Sequence, residues 1–324
     1  MREYDIKHWE NIQTYLRSVK REFWANADRV AAIFNQITVQ HPLNLNQHPE
    51  LKKAIERELR ELANRVSGTV VNGIRNEWTL SNNKNDAMLE GLLGSKTLPR
   101  VLQEKWMGRN LEAMQAFLKR SEGGMGLSDR IWQTVRGHSA DIERHLALGV
   151  YERTPARTLA TEMKQFLNEP DRLFRRVRDA EGNLRLSKAA REYSPGRGKY
   201  RSAYKNALRL TRTETNRSYQ RSDAERWKQQ DYVLGVRVQR SNVPYDCDIC
   251  EAGAGDYPKD YEWDAWHPNC RCVAVSILAS EEDMLASVDA AFEGREYKFD
   301  GYIQDIPDKM KDFMKDTGFK HWGH

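Results

Sequence analysis

The sequence predicts an α+β protein that is predominantly helical and carries a small β element with a Cys/His knuckle in its C-terminal half. Three observations lead to this fold class. Apolar residues recur at steps of three and four through the N-terminal third, which is the period of an amphipathic helix. The stretches 234–238 and 273–277 place apolar residues at every second position, as half-buried strands do. All four cysteines lie between these two stretches.

Length and composition bound the kind of protein. The chain has 324 residues, enough for two or three structural units, of which 39% are hydrophobic and 31% are charged. This balance favours a helix-rich protein with much surface facing solvent or partners. The first ten residues lack the apolar stretch of a signal peptide, and no run approaches the ~20 apolar residues of a membrane span. We therefore expect a protein that folds in a cytoplasm and has no membrane partner.

Residues 1–120 are predicted to form a helical N-terminal region. The apolar positions at helical spacing are Trp9, Ile12, Leu16, Val19 and Phe23, then Leu51, Ile55, Leu59, Leu62, Val66, Val70 and Ile74. The second of these helices is expected to start at Pro49. Polar runs at 41–46 and 81–86 predict loops. The apolar stripe is core in the simplest interpretation, and it would also suit packing against another subunit.

A second predicted region covers residues 126–279, after a glycine-rich boundary at 121–126. Short apolar stretches on either side of 179–183 predict a hairpin, with Gly182 or Asn183 supplying the positive φ angle of its turn. A long helix is expected from about Tyr200 to Gln230. The two alternating strands that follow it are expected to pair with each other.

The remaining segment, 280–324, is predicted to be an acidic C-terminal tail. From Ala279 to His324 there are 6 basic and 11 acidic residues, a net charge of −5. From Arg185 to Lys228 there are 13 basic and 4 acidic residues, a net charge of +9. A basic middle and an acidic tail indicate electrostatic partners or contact between the two segments, although each single charge would equally suit a solvated helix face.

The cysteines and one histidine form a pattern typical of a metal site. Cys247-x-x-Cys250 is followed after 16 residues by His267-Pro-Asn-Cys270-Arg-Cys272, which offers five ligands where zinc takes four. Which four bind is left open. Clustered cysteines in a cytoplasmic protein favour metal over stapling disulfides. The alternatives are a knuckle held by hydrogen bonds with free thiols, and disulfides that form after lysis. A closed zinc site of this kind would be structural and would stabilise the fold.

A catalytic zinc is not expected. Zinc nucleobase deaminases need an HxE motif before their PCxxC motif, whereas here CxxC comes first and no HxE precedes it. A nuclease of the His-Asn-His type would need another histidine as general base, and only His321 and His324 follow, in a segment of different character. We therefore predict that the protein is not an enzyme. A zinc-dependent hydrolase or toxin stays as the least favoured alternative.

The order of these motifs resembles a known family. Arg212-Thr213-Glu214-Thr215-Asn216-Arg217 lies on the long helix, a strand and Cys-Asp-Ile-Cys follow, and Trp-His-Pro-Asn-Cys-Arg-Cys precedes the second strand. This arrangement is similar to the C-terminal domain of the phage Mu F-like head-morphogenesis proteins, also called minor head proteins of tailed bacteriophages. The resemblance covers about residues 126–279 and leaves the N-terminal region and the tail unplaced.

The resemblance implies a structural role. Proteins of this family are carried in the virion head in few copies near the portal vertex, and they act in head assembly and in organising or releasing DNA. It therefore implies the portal protein and other head proteins as partners, with the N-terminal region docking on portal or shell. It also implies a location in the virion head, reached from the host cytoplasm during assembly.

Charged residues on the long helix suggest two further roles. Arg212 and Glu214 are predicted to brace the helix against the knuckle through charge-assisted hydrogen bonds. Arg221 and Glu225 have the spacing of an ion pair on one helix face. The simpler interpretation of these charges is a set of weak surface pairs.

Basic residues interleaved with tyrosines are typical of a nucleic-acid surface. The candidate phosphate contacts are Arg197, Lys199, Arg201, Lys205, Arg209, Arg217 and Arg221. Tyr200, Tyr204 and Tyr219 are candidates for stacking on exposed bases. These residues make a factor that binds double-stranded DNA inside the head the main alternative to a purely structural protein. A solvated face, or contact with an acidic partner such as a portal surface, would explain the same pattern.

Overall fold

A computed structural model describes residues 2–35, 47–151, 155–169, 176–178, 180–182, 184–186, 202–241 and 247–319. Within these residues the fold is α+β and predominantly helical, as the sequence predicts. The helices are α1 (Arg2–Asn35), α2 (Pro49–Leu93), α3 (Arg100–Trp106), α4 (Leu111–Lys119), α5 (Leu127–Tyr151), α6 (Ala156–Asn168), α7 (Ala203–Gln229), α8 (Asp248–Ala252), α9 (Glu281–Phe292) and α10 (Asp308–Thr317). The strands are β1 (Arg176–Arg178), β2 (Leu184–Leu186), β3 (Val233–Gln239), β4 (Gly255–Tyr257) and β5 (Val273–Leu278).

The chain divides into two compact units that are discontinuous in sequence. The first contains Met1–Ile12, Asn72–Leu118 and Arg212–His324, and the second contains Gln13–Val71 and Lys119–Thr211. The first unit therefore takes residues from all three regions predicted from the sequence. That residues 1–120, 126–279 and 280–324 act as separate functional modules stays a prediction.

The second unit is largely helical, and its core comes from the apolar stripes that the periodicity predicts. Buried residues of its part of α1 and α2 include Leu16, Val19, Phe23, Ile55, Leu59, Leu62 and Val66. On α5 and α6 the buried residues include Ile131, Val135, Leu159 and Met163. Ion pairs between Arg29 and Glu58 and between Arg65 and Glu22 join α1 to α2 at 2.6 and 3.2 Å. Apolar burial with polar links at the edges is what amphipathic helices require.

The first unit is built around a three-stranded antiparallel sheet with strand order β4-β3-β5. Val236 lies opposite Tyr257 on β4 and Ser276 on β5, so β3 is the central strand. The predicted pairing of the two alternating strands is confirmed. Their apolar side chains join a buried core with aromatic and sulfur-containing residues, among them Trp106, Trp227, Tyr232, Tyr257, Trp263, Trp266 and three of the cysteines.

The loop expected at 81–86 is wrong, because α2 continues without interruption to Leu93. Ser81, Asn82, Lys84 and Asn85 are at most 5% exposed. Short polar side chains compete with the backbone for hydrogen bonds in an isolated helix, which is why the run suggested a break. Here the side chains find partners on α7 instead, and the backbone stays helical.

Two turn predictions are confirmed. Gly123 and Gly124 both have positive φ in the turn between α4 and α5, at the predicted boundary. β1 and β2 pair antiparallel, and Gly182 has φ of +82° in the turn between them, which only a residue without a Cβ adopts easily. The expected loop at 41–46 lies outside the described residues.

The acidic segment after residue 279 belongs to the first unit and contributes to its core. Met284 and Val288 on α9 and Met310 on α10 are at most 1% exposed. Tyr302 donates a hydrogen bond to the Asp231 carbonyl at 2.7 Å, which ties the segment to the start of β3. None of the described helices combines the length and apolar character needed to cross a membrane.

Candidate metal centre

The CxxC half of the site is formed by a short helix. Cys247 lies at the N-cap of α8, and the Glu251 amide donates to its carbonyl at 3.0 Å. One helical turn places residues three apart on the same side, so Cys247 and Cys250 present their sulfur atoms together. The helix ends at Gly253, where a Cβ would lie 2.4 Å from the Trp266 ring. This glycine therefore permits the close approach of the chain that carries the second half of the site.

The other half is a tight turn over His267, Pro268, Asn269 and Cys270. The Cys270 amide donates to the His267 carbonyl at 3.0 Å, and Asn269 has φ of +64°. Proline at the second position and a residue of positive φ at the third are typical of a type II turn, and asparagine is one of the few residues that tolerates that conformation. The turn brings His267 and Cys270 to its two ends on one side.

The two halves meet at distances that suit a metal. His267 Nε2 lies 3.3 Å from Cys247 Sγ and 3.2 Å from Cys250 Sγ, and Cys250 Sγ lies 3.8 Å from Cys270 Sγ. Ligands at zinc–sulfur and zinc–nitrogen bond lengths on a tetrahedron would be roughly 3.5–3.8 Å apart. Ligand atoms of Cys250, Cys270 and Cys272 also lie within 4.8 Å of one another. The five residues, called here the Cys/His cluster, can therefore hold a metal ion.

The electrostatics of the cluster favour an anionic sulfur. Hydrogen bonds from the thiols of Cys250 and Cys272 lower the pKa of Cys270 to about 2, and they outweigh the opposing effect of burial. His267 Nδ1 lies 2.9 Å from the Pro268 carbonyl, so a proton on Nδ1 leaves Nε2 free to bind. Cys250, Cys270 and Cys272 are at most 3% exposed. Thiolate and neutral imidazole are the forms that bind metal.

Helix α7 contacts the segment around the turn through residues that the sequence did not single out for this role. Thr213 Oγ1 accepts a hydrogen bond from the Asn269 amide at 3.2 Å. Gln220 Oε1 accepts one from the Ala274 amide at 3.4 Å. Arg217 lies 2.8 Å from the Asp264 carboxylate. Their spacing of four and three residues along the helix was the only sequence signal that could have grouped them.

Arg212 and Glu214, the predicted bracing residues, lie on the same helix. Glu214 is 1% exposed and Arg212 is half-buried. The contacts to the turn described above come from their neighbours Thr213 and Arg217. That Arg212 and Glu214 brace the helix stays a prediction.

Four of the seven predicted phosphate contacts lie in the part of the chain that the structure describes, and none of these four is fully exposed. Arg197, Lys199 and Arg201, with Tyr200, lie outside the described residues. Lys205 and Arg209 are half-buried. Arg217 is 6% exposed and paired with Asp264, so its guanidinium faces the interior and not solvent. Arg221 forms the predicted pair with Glu225, at 2.8 Å, and a second pair with Glu262.

The expected stacking of Tyr204 and Tyr219 on bases is wrong, because both rings are buried. Tyr204 is 4% exposed and packs edge-on against Trp24. Tyr219 is 2% exposed, stacks on His8 at 4.1 Å between ring centroids, and donates to Asp5. Rings already enclosed by protein cannot accept a base.

A second face of α7 carries a buried polar network. Asp223 accepts hydrogen bonds from Ser81 at 2.8 Å and Asn85 at 2.7 Å, and it forms an ion pair with Lys84. Arg226 pairs with Asp86 and donates to the Gly108 carbonyl at 2.7 Å. Both α7 residues are completely buried. Nearly every face of this stretch of α7 is therefore inside the unit, although the helix is rich in polar residues.

Comparison with known proteins adds no relative. No protein-family model, curated protein or solved structure matches the chain.

Proposed function

We propose that this chain is a minor head protein of a tailed bacteriophage, a structural component that acts in head assembly near the portal. The observation that carries the proposal is the placement of the Cys/His cluster. It lies between the paired strands β3 and β5 and beside the helix that bears Arg212-Thr213-Glu214-Thr215-Asn216-Arg217. This is the order of motifs on which the resemblance to the Mu F-like family depends.

We further propose that the cluster holds one structural zinc ion. Three thiolates with an imidazole, or four thiolates, form a ligand set that selects zinc over magnesium or calcium. The ligand atoms of Cys250, Cys270 and Cys272 are buried, which favours a closed site over one with a position open to substrate. The ion would link α8 to the turn before β5 across a stretch with little regular secondary structure, and so would contribute to folding.

The zinc proposal is tested by native mass spectrometry of the purified full-length chain and of five single variants. These are Cys247→Ser, Cys250→Ser, His267→Ala, Cys270→Ser and Cys272→Ser. We expect one zinc per wild-type chain, four variants that lose it, and one that keeps it, because zinc takes four ligands. The variant that keeps zinc serves as the control for the substitution itself. A wild-type chain that carries no metal and has four reactive thiols in an intact fold would contradict the proposal.

The head proposal needs a separate experiment. In lysates of the phage that encodes the chain, we expect it to sediment with heads, in few copies per particle, and to be crosslinked to the portal protein. Disruption of its gene should reduce the yield of intact heads. The proposal fails if the chain stays in the soluble fraction and normal heads form without it.

DNA binding is the alternative function, and it can be tested on the purified full-length chain. Arg217 and Arg221 are engaged with Asp264, Glu225 and Glu262, so their charge is largely compensated within the protein. A protein that contacts several phosphates loses decades of affinity between about 50 and 200 mM salt. We expect weak binding to duplex DNA with a shallow salt dependence. Tight binding with a steep slope would favour the DNA-binding alternative.

A further inference from the structure

Three residues on one face of α7 contact the segment that carries the second half of the Cys/His cluster. Thr213, Arg217 and Gln220 are spaced four and three residues apart, which places them in one row along the helix. Of their partners, Asp264 lies before the stretch that contains His267, Cys270 and Cys272, Asn269 lies within it, and Ala274 lies after it. The helix therefore holds this stretch at three points.

The contact at Asn269 fixes the turn itself. In a type II turn the amide of the third residue points away from the hydrogen bond that closes the turn, so it needs an outside partner when it is sheltered from water. Thr213 Oγ1 is that partner, at 3.2 Å. Because His267 and Cys270 lie at the two ends of the turn, loss of this contact would loosen the turn that sets the spacing of the two side chains.

The other two contacts fix the ends of the segment. Arg217 and Asp264 form an ion pair whose side chains are only 8% and 11% exposed. A charge-assisted bond in such an enclosed place is strong and directional. The Gln220 contact, at 3.4 Å, meets the Ala274 amide two residues beyond Cys272, where β5 begins. The segment is thus held on both sides of its ligands.

We propose that Thr213, Arg217 and Gln220 are positioning residues for the metal centre. They hold the backbone that aims His267, Cys270 and Cys272, and so they set the affinity of the site for metal. The inference rests on the proposed zinc site. It assigns to α7 a role in metal binding that the ligands alone would not reveal, because partners outside the ligand set orient the ligands.

The test compares cobalt and zinc affinity in four full-length proteins. These are the wild type, Thr213→Val, Thr213→Ser and the control Ser218→Ala. Thr213→Val keeps the shape of the side chain and removes its hydroxyl. Ser218→Ala also removes a buried hydroxyl from α7, but that hydroxyl donates to the helix's own Thr215 carbonyl at 2.8 Å. Affinity is measured by competition with a chromophoric chelator, and the cobalt absorption spectrum reports the ligand geometry.

We expect Thr213→Val to bind either metal about tenfold more weakly, as found for lost outer partners of metal ligands. Its cobalt spectrum should change, and Thr213→Ser should restore both affinity and spectrum. Ser218→Ala should lower the unfolding temperature while keeping wild-type affinity. If Thr213→Val binds cobalt with wild-type affinity and spectrum, the positioning role is wrong although the metal site stands. If the wild type binds no cobalt or zinc, the zinc proposal fails, and this inference fails with it.

Discussion

Asp223 shows how a charge is accommodated inside this protein. Burial raises the pKa of its carboxyl group, and the ion pair with Lys84 and the hydrogen bonds from Ser81 and Asn85 act in the opposite direction. Lys84 is itself 5% exposed, and its ammonium group also lies over the Tyr219 ring at 4.4 Å. A buried charge is tolerated only when it is paired and hydrogen-bonded, so each of these residues depends on the others.

Asp223→Asn should therefore be strongly destabilising, by about 3–5 kcal/mol, because it removes the buried counter-charge of the Lys84 ammonium and leaves only the half-exposed Asp5 carboxylate at 3.6 Å. The double variant Lys84→Met with Asp223→Asn removes both charges, keeps an amide oxygen that can accept from Ser81 and Asn85, and should recover most of the lost stability. Urea unfolding of the wild type, Asp223→Asn and the double variant gives both values. A cost below about 1 kcal/mol for Asp223→Asn would show that the pair is not needed.

At the scale of elements, α2 and α7 differ from ordinary amphipathic helices because each buries polar and charged side chains. A helix that is polar on every face is normally exposed to solvent or unstable. In α7 the polar residues are buried on both sides. Thr213, Arg217 and Gln220 face the stretch that carries the second half of the Cys/His cluster. On the other side Asn216 faces α1, Asp223 faces α2, and Arg226 faces the chain between α3 and α4. The buried polar residues of α7 thus connect the candidate metal centre to the parts of α1 and α2 that belong to the first unit.

Glu262 connects α7 to the chain between the two halves of the Cys/His cluster. It accepts hydrogen bonds from Arg221 and Lys228, each at 2.9 Å. The hydrogen bond from Arg221 is the largest of the effects that hold the pKa of Glu262 at about 2. An unfolded glutamate has a pKa of about 4.3. Because the pKa of Glu262 is lower in the folded state, its ion pairs stabilise the fold above about pH 4.3. This stabilisation is lost as the pH falls from there towards 2.

Glu262→Gln should thus lower the free energy of unfolding at pH 7 and leave it nearly unchanged, relative to wild type, at pH 2. The difference at pH 7 should stay below about 1 kcal/mol, because the side chain is 45% exposed and solvent screens the pairs. Chemical unfolding of both proteins at the two pH values measures this difference. Any metal released in acid is released from both proteins, so its effect on stability cancels in the comparison. Glu296→Gln, on an exposed position of the C-terminal segment, is the matched control. An equal difference at both pH values would contradict the assignment.

At the scale of the whole molecule, the Cys/His cluster belongs to one compact unit and the apolar core of α1, α2, α5 and α6 to the other. The Cys/His cluster, the sheet and most of α7 lie in the first unit. The second unit includes the part of α2 up to Val71 and the whole of α5, and it contains no residue of the cluster. Removal of the metal should therefore affect the two units unequally.

Hydrogen exchange before and after chelation with EDTA tests this expectation. Faster exchange is expected in 247–279 and in α7 from Arg212 onwards, because these backbones are held through the knuckle. Exchange in 49–71 and 127–142 should change little, since local opening follows local contacts. A cysteine variant that loses zinc in the mass-spectrometry test should reproduce the pattern without chelator. Uniform acceleration over both units would instead show that the whole chain unfolds together when the metal is removed.

The features predicted correctly from the sequence are those that local chemistry decides. Alternating apolar residues identify β3 and β5, and a periodic stripe identifies the start of α2 at Pro49. Glycines mark the turn before α5 and the β1–β2 hairpin. The loop expected at 81–86 and the stacking expected for Tyr204 and Tyr219 failed for a common reason. Both expectations treat polar or aromatic side chains as exposed to solvent. In the structure, contacts with residues distant in the chain bury them.

The sequence by itself determined the ligands of the candidate metal centre and the turn that presents two of them. Cysteine and histidine bind metal wherever they meet, and proline followed by asparagine has few backbone conformations available, so both are properties of the residues themselves. Only the tertiary structure decided which face of α7 meets that turn and which charges lie inside. Thr213 is 56 residues from Asn269 and Lys84 is 139 residues from Asp223, separations at which no periodicity or spacing rule applies. Contacts of that kind follow from how the helices and the sheet pack, and α7 is where they concentrate.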